Sequence, residues 1–344
     1  MAADVIVVGT GPAGGAAAYH LARGGAKVLL LEARVLPRSK LCSGVLTAYS
    51  EREALRMINL AQLDAVTLGT STRTCVYTGA GRPSFLAAHH CLRFVDRRAF
   101  DFALVQAAAT LGAKVYDGRK VTRVFKHREG RWRVTILDVA SGRIEEVTAA
   151  HIVGADGSES LLAKGVQRDA RYALALEASV PYAGDNVSIV DWSADGGYFW
   201  LFPKHDGTAG VGGGTVSTAH WRTFPEQVRD FWSLQGIELP SRMPGHRLRY
   251  VRTGPVAREG LLLAGEAAGA VDPALGEGIR SALISGRLAA HAILGGGDVS
   301  RRYTVHFCLH LRQFLWRREL YAHAPTAILG IPGLGAATLR YFLG

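Results

Sequence analysis

Short apolar runs alternate with helical patterns along much of the chain. Residues 5–8 are all apolar and lead into a glycine-rich turn, after which apolar positions recur at helical spacing over residues 13–23. Further short runs or helical patterns lie at residues 27–32, 95–104, 151–158, 260–269 and 279–294. Short apolar runs bounded by glycines are typical of buried strands. The pattern therefore predicts an α/β fold in which helices cover a Rossmann-like sheet.

A different pattern begins at residue 196, where large rings occupy every second position. Alternate side chains of a strand share one face, so Tyr198, Trp200 and Phe202 are predicted to lie side by side. Pro203 removes a donor from the strand ladder and predicts that the strand ends near an opening. On composition alone, the stripe of rings is an ordinary sheet core.

Strand-rich stretches at residues 66–94 and 170–251 interrupt the α/β pattern. The glycine-rich residues 207–214 read as a strand passing close to another group, because no helical pattern follows them. We predict three parts: a discontinuous nucleotide-binding domain (residues 1–65, 92–165 and 254–296), an inserted antiparallel sheet domain of α+β type (66–91 and 166–253), and a C-terminal helical segment (297–344).

The composition indicates a globular protein with a basic surface. The 344 residues are 48% hydrophobic, which is enough for a sizeable core, and 40 Lys and Arg against 29 Asp and Glu give a net charge of +11. This charge favours anionic partners: a nucleotide cofactor, a phosphorylated substrate or an acidic membrane surface. No nucleic-acid-binding module or basic low-complexity arm is visible, so nucleic acid is not a predicted partner.

The four cysteines show no paired spacing, which indicates neither a disulfide framework nor a metal site. A reducing compartment, and hence the cytoplasm, fits this usage best. The first apolar run, residues 5–8, is too short for a signal sequence or a membrane span.

The first strand and helix enclose a dinucleotide-binding motif. Gly9 permits a tight turn, Gly11 lets the backbone approach a pyrophosphate, and Gly14 allows close packing of helix on strand. Ala13 and Gly15 belong to the same segment, at the helix N-terminus that would hold the pyrophosphate. The second strand ends at Glu32, next to Ala33, at the distance expected for a ribose contact. This unit alone leaves open whether the nucleotide is a nicotinamide or a flavin.

Two later segments, "Gly-Leu-Leu-Leu-Ala-Gly-Glu-Ala-Ala-Gly" (260–269) and "Asp-Pro-Ala-Leu-Gly-Glu-Gly-Ile" (272–279), resemble those of the p-hydroxybenzoate hydroxylase-like flavoproteins. The resemblance implies an FAD cofactor, with Glu266 at the ribityl chain where Asp is usual. "Val-Asp-Arg-Arg-Ala-Phe-Asp-Phe-Ala-Leu" (95–104) is similar to the family's Arg-x-x-Phe-Asp helix start, with Asp96 as its N-cap. The implied cofactor contacts of this half are Arg97, Val121, Asp156, Gly157, Glu266, Pro273, Gly276, Gly278 and Ile279.

The ring stripe and one further segment resemble a single branch of that superfamily, the geranylgeranyl reductases. Residues 198–203 are similar to its Tyr-x-Trp-x-Phe-Pro pattern, and "Lys-Leu-Cys-Ser-Gly" (40–44) is similar to its Lys-x-Cys-Gly-Gly segment, with Ser43 in place of a first glycine. The resemblance places Cys42, Ser43 and Gly44 near the flavin ring. It implies a substrate pocket formed by Tyr198, Trp200, Phe202 and Pro203.

The implied activity is reduction of isolated double bonds in a prenyl chain, with Cys42, Tyr198 and Trp200 as candidate catalytic residues. The thiol of Cys42 would donate a proton or shape the pocket, unless it is simply a packed core cysteine. A flavin-dependent monooxygenase or halogenase on the same scaffold is the alternative, and an electron-transfer or assembly subunit is a third class. No separate nicotinamide domain is visible. NAD(P)H would therefore dock transiently, or a reduced electron-carrier protein would serve as partner.

The C-terminal part combines a basic helix with an uncharged stretch. Apolar positions recur at helical spacing over residues 301–323 among several arginines, and residues 324–339 carry no charge. Three roles are open for this tail: a cap on the substrate tunnel, a subunit contact, or peripheral contact with an anionic membrane.

Overall fold

The computed structural model describes residues 2–77, 84–127, 130–167, 169–193, 196–251, 253–272, 275–312 and 315, with backbone only at residues 2 and 84–91. Its strands are β1 (Ala2–Val8), β2 (Val28–Leu31), β3 (Val45–Leu46), β4 (Thr67–Tyr77), β5 (Ser84–Val95), β6 (Lys114–Tyr116), β7 (Arg119–Lys126), β8 (Trp132–Asp138), β9 (Ile144–Gly154), β10 (Arg171–Pro181), β11 (Val187–Asp191), β12 (Gly197–Pro203), β13 (Thr208–Thr215), β14 (Gly245–Tyr250), β15 (Ala257–Arg258) and β16 (Leu261–Leu263). Its helices are α1 (Pro12–Arg23), α2 (Ala48–Ala54), α3 (Leu60–Ala65), α4 (Arg97–Thr110), α5 (Phe224–Ser233), α6 (Ile279–Leu294) and α7 (Val299–Phe307), with a π-helical turn at Cys308–Arg312.

The first sheet contains the predicted parallel core. Its main order is β15-β16-β9-β1-β2-β6, and the strands from β16 to β6 run parallel. The hairpin of β7 and β8 extends the other half of β9 in antiparallel fashion. Val5, Ile6 and Val7 of β1 are fully buried, as expected for a central strand covered on both faces.

Helices α1 and α6 pack closely over this sheet because small residues line their contact. A Cβ atom at Gly286 of α6 would lie 2.2 Å from the carbonyl oxygen of Ala13, so only glycine fits there. The predicted helix over residues 279–294 is confirmed with the same bounds. The helix predicted after Asp96 is also confirmed, and the Asp96 side chain accepts a hydrogen bond from the amide of Arg98 at 2.9 Å.

The second sheet has the order β14-β10-β13-β12-β11-β4-β5-β3. It is antiparallel except where β11 runs parallel to β4. The stripe predicted from the sequence lies on β12, and the strand ends at Pro203 as expected. The glycine-rich residues 208–215 form β13 rather than a second dinucleotide turn.

The two faces of β12 serve different purposes. Phe199 and Leu201 face α5, where they join a buried cluster with Phe224, Val228 and Trp232. The sequence analysis did not predict α5, because its short apolar pattern lies within a strand-rich region. The other face of β12, which carries Tyr198, Trp200 and Phe202, is directed toward the first sheet.

The two sheets do not divide cleanly at the predicted domain boundaries. Strand β3, at residues 45 and 46, lies within the segment assigned to the nucleotide domain but pairs with β5 of the second sheet. Helix α7 packs on the first sheet, where the hydroxyl of Tyr303 donates to the carbonyl of Leu263 at 2.5 Å. Most of the predicted tail, residues 316–344, lies outside the described residues. In the part of the chain that is described, no helix is both long and apolar enough to span a bilayer.

Candidate functional site

A cavity of about 230 Å³ lies between the carboxyl ends of the parallel strands and the inner face of the second sheet. Gly11 follows β1, Gly157 follows β9 and Glu266 follows β16, and all three line it. This edge of an open parallel sheet is where nucleotide ligands bind in α/β folds. Tyr198 and Trp200 line the opposite wall, so one cavity touches both predicted sites.

The turn after β1 has the shape that a dinucleotide requires. Gly9 adopts a φ of +98°, and a Cβ atom at Gly14 would lie 1.8 Å from the carbonyl oxygen of Gly9. Both positions therefore admit only glycine. A Cβ at Gly11, in contrast, would meet only Arg38, at 3.7 Å, so bare backbone faces the cavity at the start of α1. These features fit a bound pyrophosphate.

Glu32 lies at the end of β2 in a chain of buried charges. It accepts hydrogen bonds from the Thr10 amide and from Nε of Arg38, both at 3.1 Å. Burial raises the pKa of Glu32, but the Thr10 hydroxyl and the Arg38 charge outweigh it and lower the pKa below its usual value. The carboxylate is thus kept ionised and ready to accept further hydrogen bonds, as a ribose contact requires.

Arg97 is buried at the start of α4. Its guanidinium makes two hydrogen bonds to Asp101, at 2.9 and 3.0 Å, and Arg38 contacts the same carboxylate at 3.2 Å. Arg97 also donates to the Cys42 side chain and lines the cavity. The predicted cofactor arginine is therefore held rigidly, with one edge toward the cavity.

Glu266 lies beyond β16 between two basic side chains. Lys40 Nζ lies 3.0 Å from one of its oxygens and His246 Nε2 lies 3.1 Å from the other. Burial raises the pKa of Glu266, yet the hydrogen bond from His246 and the charge of Lys40 hold it at about 2. The longer Glu in place of the usual Asp therefore remains a charged acceptor at the position predicted for the ribityl chain.

We expect the ionised form of Glu266 to stabilise the folded chain. Its folded pKa of about 2 lies below its ordinary value of 4.5, so the stabilisation is complete above about pH 4.5 and is lost as the pH falls toward 2. A difference of this size corresponds to roughly 3 kcal/mol. Chemical unfolding between pH 2 and pH 5 should show a smaller acid loss in Glu266→Gln than in the wild-type chain. The exposed carboxylate variant Glu146→Gln serves as control, and an equal acid loss in Glu266→Gln would contradict the expectation.

The loop before α6 brings backbone and one buried carboxylate to the cavity. Gly276, Gly278 and Ile279 line it, as predicted for a flavin edge. Glu277 accepts hydrogen bonds from the Thr47 and Ser50 hydroxyls at 3.0 and 2.9 Å, and burial raises its pKa. The loop is tied to the ring stripe, because the hydroxyl of Tyr198 donates to the carbonyl of Leu275.

The ring stripe forms the wall opposite this loop. The ring centroids of Tyr198 and Trp200 are 5.3 Å apart, and Trp192 adds a third ring 5.7 Å from Tyr198. The glycines of β13 make room for the indole, since a Cβ at Gly212 would lie 2.7 Å from Trp200. The indole therefore lies flat on the sheet, and its Nε1 donates to Glu177 of β10 at 2.8 Å.

Cys42 is exposed to the cavity rather than packed in the core. Its Sγ accepts a weak hydrogen bond from the Gly44 amide at 3.4 Å, in addition to the contact from Arg97. The interpretation of Cys42 as a packed core cysteine is therefore wrong. The thiol faces the same space as the rings.

The cavity brings together many of the residues singled out from the sequence. Those that line it are Gly11, Ala13, Cys42, Ser43, Arg97, Gly157, Tyr198, Trp200, Phe202, Glu266, Gly276, Gly278 and Ile279. In the part of the chain that the structure describes, no group of three or more His, Cys, Asp or Glu side chains is arranged to hold a metal.

Other predicted residues lie outside the lining. Gly9, Gly14, Gly15 and Gly44 lie in close backbone packing, Glu32 and the exposed Ala33 follow β2, Val121 packs against the first core, and Pro203 ends β12. Asp156 accepts hydrogen bonds from Ser160 and Leu161 on its own segment. Pro273 lies outside the described residues.

Sequence reasoning missed several polar groups at the site. Glu177, His246 and Glu277 stand in ordinary strand or loop contexts, and their partners come from distant segments. Only Glu277 had a local signal, because it stands between two glycines already assigned to the flavin edge. Trp192 follows β11, and nothing in its surroundings distinguishes it from a core tryptophan.

Comparison with known proteins gives a family match and several relatives. The model of the FAD binding domain family matches residues 2–230. Menaquinone reductase of Mycolicibacterium smegmatis is 31% identical over 331 residues, covering 86% of this chain and 77% of the relative. Digeranylgeranylglycerophospholipid reductase of Methanosarcina mazei is 29% identical over 329 residues, covering 86% of this chain and 77% of the relative.

Solved structures share the fold over nearly the whole chain. A geranylgeranyl bacteriochlorophyll reductase-like protein from Thermoplasma acidophilum superposes with a TM-score of 0.79 at 23% identity, covering 99% of this chain and 90% of that one. The flavin-dependent brominase Bmp2 gives the same TM-score at 17% identity, covering 100% of this chain and 93% of the brominase. Because reductase and brominase fit equally well, the fold alone does not separate the two chemistries.

Proposed function

We propose that this chain, an FAD-dependent oxidoreductase that belongs to the FAD binding domain family, saturates isolated double bonds of a prenyl chain. The observation that carries the proposal is the single cavity that joins the nucleotide edge of the first sheet to the aromatic wall of the second. When bound, FAD would supply hydride from its reduced N5 atom to one alkene carbon.

The residues on the nucleotide side would hold the cofactor. The bare backbone at Gly11 and the start of α1 would bind the pyrophosphate, and Glu32 would accept from a ribose hydroxyl. Glu266, fixed between Lys40 and His246, would accept from the ribityl chain. Gly11 and Glu266 line the cavity, whereas Glu32 lies outside its lining at the end of β2. The proposed contacts are thus spread over the ends of three strands, which supports an extended dinucleotide rather than a compact ligand.

The aromatic wall would bind the substrate and exclude water. Burial of a prenyl chain against Tyr198, Trp200 and Phe202 contributes about 0.8 kcal/mol per CH₂ group. An isolated alkene has no carbonyl to absorb charge, so protonation of one alkene carbon leaves cationic character on the other carbon, which is the one that receives the hydride. The ring faces of Tyr198 and Trp200 would stabilise that charge by on the order of 1–2 kcal/mol in a dry site. Cys42 borders the same space and would shape it.

The proposed function predicts a gain of hydrogen in a prenyl substrate. The FAD-loaded chain, reduced with dithionite without oxygen, should add two mass units per double bond to at least one of three probes: menaquinone, geranylgeranyl diphosphate or a digeranylgeranyl phospholipid. Dithionite bypasses the natural donor, which we propose to be NAD(P)H or a reduced electron-carrier protein. Mass spectrometry of the extracted lipids provides the measurement.

The control is the same mixture with oxidised FAD, in which no mass shift is expected. Absence of a shift with all three probes would reject the reductase. Product formation that instead requires oxygen together with NAD(P)H would favour the monooxygenase or halogenase alternative. Reversible reduction of bound FAD without any alkene turnover would favour an electron-transfer subunit.

A further inference from the structure

Ser43 and Glu177 form a hydrogen-bonded pair across the two halves of the cavity wall. Ser43 stands on the segment before β3 and lines the cavity, and Glu177 stands on β10. The Ser43 hydroxyl donates to Oε2 of Glu177, and Nε1 of Trp200 donates to the same oxygen at 2.8 Å. The pair thus connects the cysteine-containing segment to the central ring of the aromatic wall.

The glycines of β13 give the carboxyl group its place. Glu177 lies on the same face of the sheet as Trp200, because both pair with Gly212 of the intervening strand. A Cβ at Gly210 would lie only 3.5 Å from the carboxyl carbon of Glu177. The carboxyl therefore lies over β13, next to the indole and hydrogen-bonded to the segment that carries Ser43.

The burial of Glu177 favours a retained proton. Burial raises its pKa, against the hydrogen bonds from Ser43 and Trp200 and the positive charge of Lys204. Tyr198 also faces Glu177. Burial is the main cause that raises the pKa of the Tyr198 phenol, and the charge of Glu177 raises it further. Cys42, which precedes Ser43 on the loop, is a neighbouring titratable group. His246 of β14 directs its ring to Glu266 rather than to Glu177.

Ser43 stands where the Lys-x-Cys-Gly-Gly segment, which residues 40–44 resemble, has its first glycine, so this chain carries a hydroxyl at that position. A hydroxyl between a buried carboxyl and a cavity can relay a proton, because it donates with its hydrogen while accepting with a lone pair.

We propose that Glu177 stores a proton and passes it through the Ser43 hydroxyl to the substrate alkene. This inference rests on the proposed function and names the acid for that reaction. Ser43 is the catalytic residue, since it lines the cavity, and Glu177 is the positioning residue that acts through it.

The reaction adds one hydride and one proton across the double bond. The alkene π bond breaks: one carbon forms a C–H bond with the hydride supplied by reduced FAD, and the other forms a C–H bond with the proton from Ser43 Oγ. When Glu177 is protonated, the contact between its Oε2 and Ser43 Oγ has the carboxyl as donor, and the Ser43 hydrogen is free to point to the alkene. Ser43 takes the carboxyl proton as it gives up its own, so no free alkoxide forms. Flavin is oxidised, the alkene is reduced, and the Glu177 carboxylate recovers its proton from water after the product leaves.

The test compares six full-length, FAD-loaded proteins: wild type, Glu177→Gln, Glu177→Asp, Ser43→Gly, Glu277→Gln and the surface control Glu146→Gln. Anaerobic single turnover with dithionite-reduced enzyme is measured from pH 5 to pH 9 on whichever of the three prenyl probes wild type saturates. Infrared difference spectra of the same samples, without substrate, report the protonated carboxyl band of Glu177 at neutral pH.

We expect Glu177→Gln and Ser43→Gly to lower the saturation rate by about 10²–10³-fold, as for loss of a general acid, with FAD affinity and KM unchanged. The wild-type rate should fall as the pH rises through the pKa of Glu177. This fall should be absent in Glu177→Gln, and Glu177→Asp should restore part of the rate. The infrared band should be present in wild type and Glu146→Gln and absent in Glu177→Gln.

Four results would overturn the inference, and each can be told from the others. An unchanged rate and pH profile in Glu177→Gln would show that the proton comes from elsewhere. Loss of the pH limb in Glu277→Gln instead would assign the proton to the flavin-edge carboxylate. Absence of the carboxyl band in wild type would exclude the proton store, whatever the substrate. A wild-type chain that saturates no probe, but shows the band, would reject the proposed function and with it the transfer to an alkene.

Discussion

Gly11→Val should abolish FAD binding while leaving the fold intact. The backbone of Gly11 has an ordinary conformation, with a φ of −71°, and an added Cβ would meet only the Arg38 guanidinium at 3.7 Å. The new side chain therefore has room in the protein but occupies the space through which backbone reaches the pyrophosphate. We expect FAD affinity to fall by about 100-fold or more, measured by flavin absorbance after gel filtration and by titration calorimetry.

Two further glycine substitutions serve as controls for this prediction. Gly165→Val adds the same side chain where nothing lies within 4 Å, and should change neither FAD binding nor the melting temperature. Gly14→Val places its Cβ 1.8 Å from the carbonyl oxygen of Gly9 and should prevent folding of the first sheet. If folded Gly11→Val binds FAD as wild type does, the nucleotide does not lie at the start of α1.

Trp200→Ala should slow turnover by more than about tenfold without releasing FAD. The indole lies on the inner face of β12, and the strand's link to the flavin-edge loop runs through Tyr198 instead. Loss of a ring that stabilises cationic character by 1–2 kcal/mol slows saturation about tenfold, and the lost substrate contact slows it further. The measurement is single-turnover saturation per mole of bound FAD, so that any loss of folded protein does not enter the rate.

The adjacent residue provides a matched control on the other face. Phe199 is 4% exposed and stacks on Phe231 with ring centroids 4.0 Å apart. Phe199→Ala should lower the free energy of unfolding by about 3–5 kcal/mol, while folded molecules keep their rate per flavin. Loss of FAD from Trp200→Ala would mean that the indole supports the fold rather than the substrate.

The regular parts of this fold were predictable because local patterns determine them. The β1 turn follows from glycine spacing, and the bounds of α6 follow from apolar periodicity ending at Gly295. The alternation at Tyr198, Trp200 and Phe202 predicts the shared face of β12 correctly, because strand periodicity needs no knowledge of neighbours. These features are confirmed wherever the chain is described.

The polar part of the site could not be predicted, because it depends on which strands pair. Glu177 reaches Trp200 only because β10 and β12 flank the same glycine strand. Likewise, Glu266 is ionised because Lys40 and His246, both far away in sequence, meet it in space. Helix α5 was missed because ten residues with three buried apolar side chains give a weak periodic signal inside a strand-rich region.

The short strand β3 joins the cavity to the second sheet over very few residues. Cys42 and Ser43 face the cavity, Gly44 accepts a hydrogen bond from the Val95 amide at 2.9 Å, and Val45 pairs with Phe94 at the sheet edge. The segment that would contact both ligands is thus hydrogen-bonded to the second sheet, rather than forming a hinge between the two sheets. An exchange of inserts between relatives, made to transfer substrate preference, would have to carry residues 42–46 and 92–95 with it, although both stretches lie outside the predicted insert in the linear sequence.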